Sequence, residues 1–137
     1  MKQIDKKGDR NRIGALGERI VAERLKDCDW TIQEQNYLKK WGEIDIVAHE
    51  TSKVHFIEVK TVSYETKNAL KNAISHETWR PEENVHYKKL QRLGRTIQSW
   101  LIEHNYNGEW QLDVAIVRIV PREKYATVKI LSNVIIE

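Results

Sequence analysis

Apolar residues recur along this chain with two periods, about 3.6 and about 2, and the changes between them divide it into elements. Residues 1–12 follow neither: Lys2, Lys6, Lys7, Arg10 and Arg12 stand among polar neighbours, which predicts a flexible basic arm. A helical period then covers residues 13–26, with Gly14, Val21, Ala22 and Leu25 on one side of the wheel. Glu18 falls among them. A carboxylate in an apolar stripe costs free energy unless it is paired, hydrogen-bonded or bound to a metal. A glutamate at the stripe's edge whose tip reaches water is the simpler reading of the wheel alone.

Trp, Thr, Ile and Tyr over residues 30–37 favour an extended strand that ends in a polar turn at 38–42. Residues 43–49 and 54–62 are two further β-rich runs, and the short link between them fits a hairpin. Residues 64–84 are polar, with a short helical stretch at 67–74 and a breaker at Pro81. They read as a mobile excursion, and Trp79 and Arg80 there suit either closure over a substrate or an ordinary loop. A long amphipathic helix spans 85–104. Leu90, Leu93, Ile97, Trp100 and Leu101 lie at helical spacing, and Lys88, Arg92 and Arg95 fill its other face. Residues 110–120 form a buried strand and 125–131 a last one. No repeat or linker interrupts 13–137, so the pattern predicts a single α/β domain with a mixed central sheet flanked by helices.

At 137 residues the chain is one ordinary domain, long enough to bury roughly two thirds of its unfolded surface. The lone Cys28 excludes an internal disulfide, and no cysteine or histidine spacing suggests a structural zinc. A reducing cytoplasm is the expected location. Nothing resembles an apolar signal segment, and no apolar run approaches the roughly 20 residues of a membrane span, so no membrane association is expected. The net charge of +3 decides nothing about nucleic acid. The clusters matter more: the N-terminal arm and the group Lys88, Lys89, Arg92 and Arg95 could each contact phosphate, although a solvated face is the commoner reason for such clusters.

Side chains two apart on a strand share a face. Glu43 and Asp45 therefore point together, as do Glu58 and Lys60, while Ile44, Ile46, Ile57 and Val59 point the other way. Val47 and Phe56 share the charged face, which places three carboxylates and an ammonium at the margin of a core. Carboxylate oxygens there suit a hard divalent cation, magnesium or its substitute manganese. In phosphodiester hydrolysis such an ion neutralises a phosphate oxygen and lowers the pKa of a bound water. Lys60 would orient that water or stabilise charge on phosphate, since neighbouring carboxylates keep an ammonium protonated. Glu-x-Lys alone is a weak signal, far more often an ordinary ion pair worth about 0–1 kcal/mol. The combination of Gly-Glu-Ile-Asp opening one strand and Glu-Val-Lys closing the next favours a functional site.

Asp45 followed by Glu58-Val59-Lys60 resembles the core motif of the PD-(D/E)xK nuclease superfamily, which includes restriction enzymes and Holliday-junction resolvases. More narrowly, the chain resembles the YraN-like family of uncharacterised bacterial proteins. That likeness covers most of the sequence: Gly14-Ala15-Leu16-Gly17-Glu18, Gln35-Asn36-Tyr37, Gly42-Glu43-Ile44-Asp45-Ile46-Val47, Phe56-Ile57-Glu58-Val59-Lys60, Lys89 and Leu112-Asp113-Val114. The resemblance implies a restriction-endonuclease-like fold, with Asp45 and Glu58 as metal ligands and Lys60 as the catalytic lysine. It also implies Glu18 as a first-helix acid near the metal and Lys89 facing the substrate. Two departures stand out: Ile44 replaces the proline before the aspartate, and Gln111 stands where relatives often carry arginine.

The expected function is a magnesium-dependent DNA endonuclease acting on branched or otherwise structured DNA, with no cofactor beyond the metal. Symmetric cutting of both strands suits a homodimer. The alternatives are a nucleic-acid-binding module with little activity and an interaction module docking on a DNA-processing assembly. The five histidines show no ligand spacing and suit solvent-facing or hydrogen-bonding roles. Trp100 and Trp110 read as core, whereas Trp41 and Trp79 lie in loops beside the expected cleft and could stack on bases.

Overall fold

The computed structural model describes residues 6–76 and 87–135. Trp79, Arg80 and Pro81 lie outside those residues, as do residues 1–5 of the basic arm. The elements are α1 (Lys6–Asp27), β1 (Thr31–Lys39), β2 (Gly42–Glu50), β3 (Lys53–Ser63), α2 (Lys67–His76), α3 (Tyr87–Glu103), β4 (Glu109–Val120) and β5 (Tyr125–Leu131). The strands form one sheet in the order β1-β2-β3-β4-β5. Only β3 and β4 run parallel, in register from Lys53↔Glu109 to Ser63↔Ile119, because the chain crosses over through α2 and α3 between them. The fold is thus α/β with a mixed sheet flanked by helices, consistent with the restriction-endonuclease-like class.

Each face of the sheet is covered by one helix. Val21, Ala22 and Leu25 of α1 pack on Ile46, Ala48, Ile57, Ala115, Val117 and Ile119. On the other face Ile97 and Trp100 of α3 pack on Tyr37, Ile44, Val47, Val54, Phe56 and Leu112. Among the described residues no helix is long and apolar enough to cross a membrane.

Three expectations need correction. The first helix begins at Lys6 rather than residue 13. Apolar periodicity reports burial and not helicity, and the added turns are a polar stretch with Asp9 near the positive N-terminus and paired to Arg12. Trp110 is 37% exposed: it stands at the start of β4, edge-on to Phe56, rather than in the core. Ile44 does not share a face with Ile46. It packs under α3 while Ile46 packs under α1, so the strict alternation of β2 breaks at Asp45.

Candidate metal and nucleic-acid site

The break at Asp45 has a cause in the sheet. The β2–β3 ladder runs from Glu50↔Lys53 only as far as Ile46↔Ile57, and beyond that rung the two strands part. A buried backbone N–H that loses its strand partner must find another acceptor. Val59 finds the side chain of Asp45: its N–H donates to Oδ2 at 2.7 Å. Asp45 is thereby held between the diverging strands, only 9% exposed.

On the other side of β2, Asn36 of β1 adopts a left-handed φ of 53°, a conformation that asparagine tolerates better than most side chains. From there its amide donates to Glu18 Oε2 at 3.0 Å and to Glu43 Oε1 at 2.8 Å. One neutral side chain thus gathers an acid from α1 and an acid from β2. Glu18 reaches it because α1 lies very close to β3 at Gly17, where a Cβ would come within 1.8 Å of Thr61 Oγ1. Glycine at 17 is a requirement of that approach.

The result is a trio: Glu18, Glu43 and Asp45 each present an oxygen within 4.8 Å of the others. Glu58 joins from β3, its carboxyl within hydrogen-bonding reach of Asp45. Burial, then the negative charge of Glu58 and that of Glu18, push the Asp45 carboxyl up to about 8, against the pull of the Val59 N–H. Carboxyls this crowded must share a proton or a cation. A hard divalent ion with oxygen ligands and its own waters meets that need, so the donor set fits magnesium or manganese.

The other sequence-predicted residues lie around this centre. Glu58 is 7% exposed, and Lys89 of α3 sets its Nζ 2.7 Å from Oε1. Lys60, two residues on, is half-buried and pairs with none of the described residues. Lys88, Lys89, Arg92 and Arg95 line one wall of a cleft of about 1350 Å³, with Glu43, Asp45 and Glu58 among its acidic residues. Trp41 lines the same cleft, with the Arg95 guanidinium 4.2 Å from its ring centre. Gln111, at the other end of the sheet, binds Lys53 and Asp113 and takes no part. Asn36 has no expected role in the sequence reading. Its signal there is faint: an asparagine inside a strand pattern, where a turn-former is out of place.

The family described as "Uncharacterised protein family UPF0102" matches residues 17–117, a span that holds every acid of the site together with Lys60 and Lys89. Among similar proteins, a UPF0102 protein of Campylobacter lari is 35% identical over 107 residues, covering 77% of this chain and 82% of that protein. One from Nocardia farcinica is 32% identical over 83% of this chain and 82% of its own length. One from Alkaliphilus oremlandii is 30% identical over 89% and 96%.

Proposed function

Because the chain belongs to the uncharacterised protein family UPF0102, the YraN family, we propose its function from its own site: a metal-dependent endonuclease that hydrolyses phosphodiester bonds in DNA. The observation that carries this reading is the convergence of Glu18, Glu43 and a buried Asp45, the last two lining a cleft whose opposite wall is basic. Acids alone would repel a polyanion. Lysines and arginines facing them give the phosphate backbone somewhere to lie while one phosphate reaches the carboxylates.

Each residue then has a task. Glu18, Glu43, Asp45 and Glu58 would hold the cation, with Asn36 fixing the spacing of the first two. A bound magnesium or manganese ion supplies charge neutralisation at a non-bridging oxygen and acidifies a water. Lys60 orients the attacking water or donates to the phosphate as negative charge builds on it. The water oxygen forms the new bond to phosphorus as the leaving oxygen departs and takes up a proton. Lys88, Lys89, Arg92 and Arg95 bind backbone phosphates, and Trp41, stiffened by Arg95, offers an aromatic face to an unstacked base.

The preference for branched or otherwise structured DNA rests on the resemblance to resolvases within the PD-(D/E)xK superfamily. Symmetric incision would need two such clefts, which a homodimer supplies. The cytoplasm, where the exposed Cys28 stays a thiol, is the location that suits this chemistry.

A second reading, a DNA-binding module without turnover, draws on one feature: the Lys89 ammonium already neutralises Glu58, so the acid cluster is partly satisfied without an ion. Incubation with four-way, flapped, single-stranded and plain duplex DNA in Mg²⁺ or Mn²⁺ separates the two. Cleavage that is lost in Asp45→Asn and Glu58→Gln establishes the enzyme. Salt-sensitive binding with no cleavage, unchanged by both variants, establishes the module.

A further inference from the structure

The opposite end of the β2–β3 hairpin holds a second polar constellation. His55, on β3, is 5% exposed and its Nδ1 lies 2.7 Å from Asp113 Oδ2 on the parallel neighbour β4. Asp113, 1% exposed, is itself fixed: its Oδ1 accepts from Gln111 Nε2 at 2.7 Å and from the Asn133 backbone N–H at 2.9 Å. A carboxylate engaged in this way can only accept, so Nδ1 of His55 carries the hydrogen. In the neutral ring this leaves Nε2 with a lone pair.

That lone pair has nothing suitable in front of it. Nε2 is closed to solvent and has no hydrogen-bond partner among the described residues. The nearest acid oxygen is Glu50 Oε2, at 3.4 Å. Two electron-pair donors facing one another at that distance call for a positive centre between them. With metal–nitrogen and metal–oxygen bonds near 2.0–2.2 Å, the edge of a tetrahedron around zinc is about 3.4 Å, which matches the separation found.

We propose that His55 Nε2 and Glu50 bind a borderline divalent cation of the zinc type, with Asp113 as the carboxylate that orients the imidazole. The arrangement is a carboxylate–histidine–metal relay in which the outer acid sets the ring's tautomer and basicity. An imidazole nitrogen beside one carboxylate selects zinc or cobalt over magnesium, in contrast to the all-oxygen centre at Asp45. The neighbouring pocket, about 590 Å³ and lined also by Lys53, Gln111 and Glu109, leaves room for water in the remaining positions. Lys53 does not block it, since its ammonium is turned onto Gln111 Oε1 at 3.2 Å. Glu50 is half-exposed and free to adjust its reach. No histidine or cysteine spacing signals such a site, because one ligand is a glutamate at the end of β2.

The test uses the full chain with Asp45→Asn and Glu58→Gln, which cripples the oxygen-only centre. Zn²⁺ is titrated by calorimetry while the imidazole nitrogens are followed by NMR. The expected result is one Zn²⁺ per chain, with His55 Nε2 moving to a metal-bound shift, Nδ1 keeping its hydrogen, and Mg²⁺ producing neither change. Adding Glu50→Gln, at a half-exposed position, should weaken Zn²⁺ at least tenfold, and Asp113→Asn by about 10–100-fold. A His55 ring found protonated on both nitrogens at neutral pH and indifferent to Zn²⁺ would overturn the proposal, showing that a proton fills the gap. Zn²⁺ binding that leaves the His55 signals unmoved, or that survives Glu50→Gln undiminished, would overturn it as well.

Discussion

Lys89 Nζ stands 2.7 Å from Glu58 Oε1, an ammonium from α3 resting on a carboxylate that is almost wholly withdrawn from solvent. The pair ties the basic wall of the cleft to its acidic residues. Replacing Lys89 by Gln leaves a buried carboxylate with a neutral donor. Because Lys89 itself is 47% exposed, the expected loss is toward the lower end for a broken pair, about 1–2 kcal/mol in magnesium-free urea unfolding. Saturating Mg²⁺ should shrink that loss, since the ion takes over the neutralisation. An equal loss with and without Mg²⁺ would show that Glu58 does not face the cation.

The elevated Asp45 carboxyl predicts a pH dependence with a definite sign. The native state holds a proton that the unfolded chain releases from an ordinary value of 3.8, whereas the folded group lets it go only through about 8. The stabilisation is complete below the lower value and is lost as pH rises to the upper one. Metal-free protein should therefore lose stability across that window on account of this residue. Asp45→Asn, neutral at every pH and still an acceptor, should remove the component and stabilise the metal-free fold at pH 8 by up to several kcal/mol. Thermal unfolding of both proteins across the window measures it. A difference between them that does not vary with pH would exclude the raised carboxyl.

Metal binding should release a proton over the same range. Calorimetric titration of Mg²⁺ near neutrality, in buffers of different ionisation enthalpy, should show net proton release from the wild type. Asp45→Asn should show neither the release nor comparable affinity.

Asn36 separates two acids with one amide, so Asn36→Asp replaces a shared donor by a further negative charge. The variant should be destabilised by about 1–3 kcal/mol without metal. It should recover much of that loss in Mg²⁺, more steeply than the wild type gains. Paired melts with EDTA and with Mg²⁺ test this, and a metal-independent loss would mean that Asn36 serves β1 alone.

Gly17→Ala places a methyl group 1.8 Å from Thr61 Oγ1. The helix must back away, at a cost of about 1–3 kcal/mol, and Glu18 retreats with it. Stability and Mg²⁺ affinity should fall together in Gly17→Ala. Thr61→Ala added to it should restore part of both, because the clashing hydroxyl is gone. Unchanged affinity in the single variant would remove Glu18 from the metal set.

The elements were readable because burial imposes a period: Ile46, Ala48 and Ile57 face one helix while Val47, Val54 and Phe56 face the other. Asp45, Glu58 and Lys60 were readable as charges embedded in those runs. What a period cannot show is where it fails. The parting of β2 from β3, the left-handed Asn36 and the displaced Ile44 are local departures from regular strand geometry that no period reports. Similarly, Lys6–Arg12 carry no apolar stripe although they are helical. The spacing of His55 points to solvent or hydrogen bonding without naming a partner, since its link to Asp113 depends on the parallel register of β3 with β4.

The contact between Asp45 Oδ2 and the Val59 amide has an evolutionary consequence. Position 45 works as architecture before it works as chemistry, standing in for a missing rung of the ladder. A lineage without the proposed catalysis would still be selected to keep an acceptor there, drifting to asparagine more readily than to alanine. Preservation of an aspartate at this position across relatives would therefore say less about turnover than preservation of Lys60, whose ammonium makes no ion pair or hydrogen bond with the described residues.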